Sequence, residues 1–436
     1  MDHSFSQDVS HAFPEGLPGR ARAQARYPRT LAGLTGALDR LREEHAAGVL
    51  PHWTLPARRD DLAELVTLAE RLRSQFRDIV VLATGGSSLG GRALVALAPG
   101  RASSPDAARL TFCDNLDPIG MDSLLCDLDL ARTAFLVISK SGGTAETLTQ
   151  TLACLGALRS AAGAGDPRKH FFVVVEPGDS PLRRFSAAHE LETLDHDQEL
   201  GGRFSVLSIV GLLPAVIAGL DAVKIRSGAQ QVLDQALAAS SPGDVPAAAG
   251  AALAVTLAQE CGIGMNVMMP YSDRLDAFVL WYRQLWAESL GKDGIGMTPI
   301  RALGPVDQHS QLQLYLEGPA DKQFTLICMD QTGKGPKVPV EDAGAVGAAY
   351  LAGVGVGDLV TAQQEATIAS LVAHGRSTRV LRLSDLDERK MGALFLHFML
   401  ETVFAADLLG VNPFDQPAVE EGKQLARRFL RGRAGA

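Results

Sequence analysis

The sequence predicts an α/β protein built as two α/β/α sandwich domains, and three observations carry that reading. Short β-branched apolar runs alternate with helical stretches, the pattern of a parallel-rich sheet covered on both faces. An Ala/Ser/Pro-rich stretch, ALAASSPGDVPAAAGAA (236–252), part of it compatible with helix, interrupts the alternation, which then resumes. The length of 436 residues suits two or three domains rather than one. The expected division is 1–235 for N-terminal helices and a first domain, 236–410 for a second, and 411–436 for a tail.

In chain order, residues 1–75 are expected to be mostly helical. TLAGLTGALDRLREEHAAG and DDLAELVTLAERLRSQF space their apolar residues three and four apart. DIVVLATGGSSLGGRALVALA then reads as a strand, a glycine-rich turn and a helix. Further strands are expected at LTFC (110–113), AFLVIS (134–139) and FFVVVE (171–176). SVLSIVGLLPAVIAGL (205–220) contains Pro214 and is too short for a membrane span, so it reads as a buried helix. Beyond the boundary, MNVMMP (265–270), FTLICM (324–329) and TRVLRL (378–383) are expected strands, flanked by long helices near 274–290 and 390–409. QLQLYL fits an alternating strand or a helix start, and NPFDQPAVEEGKQLARRFL (412–430) reads as a turn followed by a helix from near Pro417.

Composition narrows the function. Forty-one Lys plus Arg against 50 Asp plus Glu give a formal charge of −9, which disfavours broad nucleic-acid binding and leaves room for a local basic pocket. Five scattered cysteines without a CxxC pair suggest reduced thiols in a cytoplasmic enzyme. No signal peptide and no membrane association are expected, because the first residues lack a basic region followed by an apolar core. No histidine stands at a metal-ligand spacing, and GxxxxGK[ST] and the dinucleotide fingerprint are absent. Nucleotide binding is therefore unsupported, and metal hydrolysis is disfavoured.

Several stretches have the composition of a ligand site. SKSGGTAET (139–147) joins a strand to a helix with hydroxyls at Ser139, Ser141 and Thr144 and flexible backbone at Gly142 and Gly143. Unpaired N–H groups and the helix dipole make that joint suitable for an anion, although a polar turn with an ordinary cap fits it too. TGGSSLGG (84–91) is a second Gly/Ser turn after a strand, marking either a ligand crevice or close helix packing at Gly85 and Gly86. In GGRFSVLS (201–208), Arg203 follows two glycines and offers a guanidinium to a developing oxyanion, or caps a surface carbonyl. Glu288 edges the stripe of Phe278, Trp281, Tyr282 and Leu285 near a helix C-terminus, an apolar setting that suits a general base. His309 sits in an expected loop after Gly304–Pro305 and could move protons near neutrality. Gln416 and Lys423, seven apart or about two turns, would project from one side.

Together and in this order, GGSSLGG, SKSGGTAET, GGRFSVLSIVGLLP, WAESLGKDG, DQHSQLQ and VNPFDQPAVEEGK resemble the successive motifs of the glucose-6-phosphate isomerase family, in its short bacterial form. The resemblance runs from about residue 80 to 423. It implies two sugar-isomerase (SIS-type) domains with a tail returning to the active site, and aldose–ketose isomerisation of glucose 6-phosphate and fructose 6-phosphate without a cofactor. By motif, Ser139, Lys140 through its backbone, Ser141 and Thr144 would bind the phosphate, Gly86 and Ser87 would line the sugar, and Gln416 would help hold it. Glu288 would be the base between C2 and C1, Arg203 would stabilise the cis-enediolate, and His309 with Lys423 would assist ring opening. Because that histidine comes from the neighbouring subunit in the family, a homodimer is implied.

Departures occur at Gly143, at Phe204 and in AESLGK, and none removes a proposed catalytic group. Competing readings are a dual glucose/mannose phosphate isomerase and a non-catalytic sugar-phosphate sensor. A glutamine-dependent hexosamine synthase, of the same fold, would need a cysteine at the N-terminus, where the first is Cys113.

Overall fold

The computed structural model describes residues 5–98, 108–161 and 165–434. Their ten strands form two five-stranded sheets. In chain order the strands are β1 (Ser6–Asp8), β2 (Asp78–Leu82), β3 (Arg109–Cys113), β4 (Thr133–Ile138), β5 (Phe171–Val175), β6 (Glu192–Asp195), β7 (Met265–Pro270), β8 (Thr298–Arg301), β9 (Lys322–Met329) and β10 (Ser377–Leu383).

The first sheet is all parallel, in the order β3-β2-β4-β5-β6. Strands β2, β4 and β5 are buried along their whole length, which explains why their sequences are unbroken apolar runs rather than alternating ones. Strand order reverses between β2 and β4, so the loops leaving their carboxyl ends lie side by side. That reversal is where open α/β sheets leave a crevice for ligands. The two loops are the Gly/Ser turns singled out above.

The second sheet repeats the plan as β10-β9-β7-β8 in parallel, with β1 added antiparallel at the edge of β10. Strand β1 was hidden in the stretch expected to be helical. It is three residues long, with no apolar alternation to reveal it. Strands β6 and β8 were also unforeseen: four residues each, only partly buried, they lack the apolar run that marks the central strands.

The expected long helices are present at Asp276–Leu290 and Glu388–Leu409. The second is long and apolar enough to cross a membrane by composition, yet 78% of that window is buried, and it packs as a core helix against the helices Ala222–Ala238 and Pro246–Cys261. QLQLYL resolves as the helix Leu312–Glu317, and the final helix runs Val419–Ala434. One apolar cluster spans both sheets, from Ile79 and Leu136 through Trp281 and Phe395 to Ile327 and Leu381. Each large side chain there contributes roughly 1.5–3 kcal/mol on burial.

Candidate active site

The two sheets meet where the helix Asp276–Leu290, leaving β7, crosses the turn that leaves β2. At that turn Gly85 adopts φ +59°, a left-handed backbone that favours glycine, and a side-chain carbon there would lie 3.1 Å from Gln284 Nε2. Gly86 is pressed still harder: an added Cβ would sit 2.3 Å from the Gly202 carbonyl carbon and 2.6 Å from the Arg203 nitrogen. No side chain fits there. The glycines of GGSSLGG thus bring the β2 turn onto the backbone that carries Arg203, the close packing that the sequence left as one of two alternatives.

Arg203 is 3% exposed, on the short 3-10 turn Gly202–Leu207. Its guanidinium is fully engaged. Nε donates to Ser289 Oγ at 2.8 Å, Nη1 to Gln416 Oε1 at 2.6 Å and to Glu288 Oε2 at 3.4 Å. Nη2 donates to the carbonyls of Pro413 and of Asp415, the latter at 2.9 Å. The Arg203 carbonyl in turn accepts from Trp281 Nε1 at 3.0 Å. Burial, the largest influence, disfavours the Arg203 charge, and Glu288 and Asp415 oppose it. A planar fork with five donors can satisfy all these acceptors at once, which a lysine cannot.

Glu288 is not in the apolar setting expected of it. Its Oε1 accepts from Gln284 Nε2 at 2.9 Å, one helical turn earlier, and its Oε2 faces Arg203. The carboxylate edges a cavity of about 590 Å³ that Lys292, Asn412, Asp415 and Gln416 also line, a size within the range of small-ligand sites. Lys292 Nζ reaches Asp415 Oδ1 at 3.1 Å and the Asn412 carbonyl, so the tail is fastened to the helix end on two sides.

The phosphate-loop candidates also assemble. Ser139 is buried at the end of β4, and its Oγ donates to Thr144 Oγ1 at 3.3 Å. Gly142 has φ +60°, and a Cβ there would meet Ser180 Oγ at 2.3 Å. The helix Ala145–Ser160 starts at Thr144 without a side-chain cap, leaving its first N–H groups directed at the loop.

Two expectations need correction. Gln416 and Lys423 do not serve one side together, because Gln416 bonds Arg203 beside the Glu288 cavity, whereas Lys423 Nζ pairs with Glu420 at 2.6 Å. Lys423 instead borders a space of about 300 Å³ beside Ser141 and Thr144. His309 lies on the short helix Val306–Ser310 rather than in a loop; it is exposed, and no hydrogen bond or ion pair among the described residues links it to Glu288 or Arg203.

A family model for phosphoglucose isomerase matches residues 66–326, more than half of the chain. The chain belongs to that family. It is 39% identical over 386 residues to glucose-6-phosphate isomerase of Rubrobacter xylanophilus, covering 87% of this chain and 89% of that one. It is 36% identical over 427 residues to a glucose-6-phosphate isomerase of Thermus thermophilus, covering 95% and 98%. Among solved structures, a hypothetical protein of Thermus thermophilus superposes with TM-score 0.84 at 33% identity, covering 98% of this chain and 99% of that one. A glucose-6-phosphate isomerase of Chlamydia trachomatis shares the fold with TM-score 0.80 at 22% identity, covering 100% and 90%.

Within this phosphoglucose isomerase framework, the sequence left Gln284, Ser289 and Lys292 unassigned. Gln284 had a legible signal: it is a polar residue four before Glu288, hence on the same helix face. Ser289 and Lys292 had none, since their roles depend on contacts with Arg203 and the tail, distant in sequence.

Proposed function

We propose that this chain interconverts glucose 6-phosphate and fructose 6-phosphate with Glu288 as the base. The observation that carries the reading is one carboxylate, held by Gln284, beside a buried guanidinium at the edge of a sugar-sized cavity. Glu288 takes the proton from C2 of the open-chain aldose; the C–H electron pair becomes the C1–C2 double bond, and O1 becomes an oxyanion. The O2 proton passes to O1, and Glu288 returns its proton to C1, giving the ketose. When Glu288 accepts the proton its own charge disappears, so Arg203 is freed to stabilise the enediolate as charge reaches the substrate oxygen. In this reading Gln416, bonded to Arg203, orients the sugar hydroxyls, and Gly86 and Ser87 line the sugar.

Ser139, Lys140 through its backbone N–H, Ser141 and Thr144 hold the phosphate in this reading. Ring opening falls to Lys423 and the partner's His309 in a homodimer. Support for the dimer comes from the exposure of His309 together with its apolar neighbours Val306 and Leu314, 57% and 52% exposed. The five cysteines are unpaired, in keeping with a reducing cytoplasm. The test is an assay supplying fructose 6-phosphate and reading glucose 6-phosphate through its dehydrogenase. Steady product formation supports the isomerase reading, and binding of the sugar phosphate without turnover would leave only a sensor.

A further inference from the structure

We propose that Arg427, on the last helix, is a phosphate-binding residue that closes the phosphate loop from the side of the tail. The inference rests on the isomerase reading above and extends it.

The space of about 300 Å³ has two walls of different origin. One is Ser141, Gly143, Thr144 and Ala145, the loop and uncapped helix start that bind the phosphate in that reading. The other is one face of the helix Val419–Ala434, presenting Glu420, Lys423, Ala426, Arg427 and Leu430. Lys423 already has a carboxylate partner in Glu420. Arg427 has no hydrogen bond or ion pair among the described residues, its charge being felt only at longer range by Glu420, and it stands four residues after Lys423 on the same face. Like charges at that spacing oppose each other and weaken a helix slightly. Such a local conflict is relieved when an anion sits between the charges and the facing donors.

A sugar phosphate near neutral pH carries between one and two negative charges, with several strong acceptor oxygens. The loop offers it N–H and hydroxyl donors, which are neutral. Arg427 supplies the missing full charge in a planar fork suited to two phosphate oxygens. The helix is exposed along its length, with Leu425 and Phe429 at 36% and 71%, so a phosphate in solution has access to the face that carries Arg427. Glu146 also borders the space and works against an anion there. That gives the proposal a second, opposite sign to test.

The experiment measures KM for fructose 6-phosphate and the inhibition constant of inorganic phosphate in wild type, Arg427→Ala, Arg427→Lys and Glu146→Ala. Arg427→Ala is expected to raise both constants about five- to tenfold with kcat little changed, as loss of one charge-assisted contact implies. Arg427→Lys should recover part of the loss, and Glu146→Ala should lower both constants. Equal constants in Arg427→Ala and an active wild type overturn the assignment while leaving the isomerase reading intact. So does a parallel rise in Arg427→Ala and Glu146→Ala, which would mark the two as a structural ion pair. An inactive wild type that phosphate does not bind removes the reading on which the proposal rests.

Discussion

The Arg203 guanidinium donates to Gln416 Oε1 at 2.6 Å, joining a turn of the first sheet to a tail residue more than two hundred positions later. Its other arm takes the carbonyls of Pro413 and Asp415, so the tail is threaded onto one buried cation. The charge proposed to stabilise the enediolate and the anchor of the tail are thus one side chain.

Replacing Arg203 by Lys therefore costs both stability and turnover. An ammonium keeps the charge but cannot reach Ser289, Gln416 and two carbonyls at once, leaving buried acceptors unpaired at about 1–3 kcal/mol. Urea unfolding should show that loss, and kcat should fall by about 10²-fold or more. Full activity in Arg203→Lys would show that the fork geometry is unimportant.

The phosphate role proposed for the loop Ser139–Thr144 predicts a different kinetic signature. Thr144→Ala removes a hydroxyl that a bound phosphate feels in ground and transition state alike, so KM should rise more than kcat falls. Gly142→Ala places a Cβ 2.3 Å from Ser180 Oγ at a positive φ, and should disturb KM further. Unchanged KM in both variants would remove the phosphate assignment from this loop.

His52 supplies a prediction in pH. It is 3% exposed, packed between Phe414 and Phe204 at 4.8 and 5.0 Å, with neither ring nitrogen hydrogen-bonded. Burial lowers its pKa from 6.5 to about 4, with Lys140 and Arg203 adding to the effect and Asp197 opposing it. The folded state thus binds fewer protons than the unfolded state between those values. Stability is complete above about pH 6.5 and falls as pH drops toward 4, by at most about 3 kcal/mol from this group. His52→Phe should flatten that part of the pH–stability curve measured by denaturant unfolding. An equally steep curve in the variant would assign the acid sensitivity to other groups.

Much of this arrangement was legible in the sequence for a physical reason. Fully buried parallel strands must be continuous apolar runs, so Asp78–Leu82, Thr133–Ile138 and Phe171–Val175 announced themselves. The short edge strands Ser6–Asp8 and Glu192–Asp195 did not, because pairing with a neighbour, not composition, makes them strands. Arg203, Glu288 and Gln416 stood out through their motifs, whereas Ser289 and Lys292 gain meaning only from the tail that folds against them. The separate surroundings of Gln416 and Lys423 were likewise invisible, since a seven-residue spacing says nothing of which distant groups each side chain meets.

The dimer is tested by complementation. His309→Ala and Glu288→Gln chains, each weakly active, should regain activity when mixed under conditions of subunit exchange, because one of the mixed sites carries both intact groups. A verified heterodimer without recovered activity, or a fully active monomer, would place His309 outside a shared site.

Glu288 carries the central claim, and its replacement by Gln in ²H₂O tests it most directly. The amide keeps the shape and one acceptor oxygen, enough for one of the two bonds from Gln284 and Arg203, but has no basic lone pair to move a proton. Turnover should fall by about 10²–10⁴-fold with modest change in KM, while the wild type incorporates solvent deuterium at C1 or C2 over repeated turnovers. Near-normal turnover in Glu288→Gln, or a wild type that never takes up deuterium, would contradict proton transfer through this carboxylate.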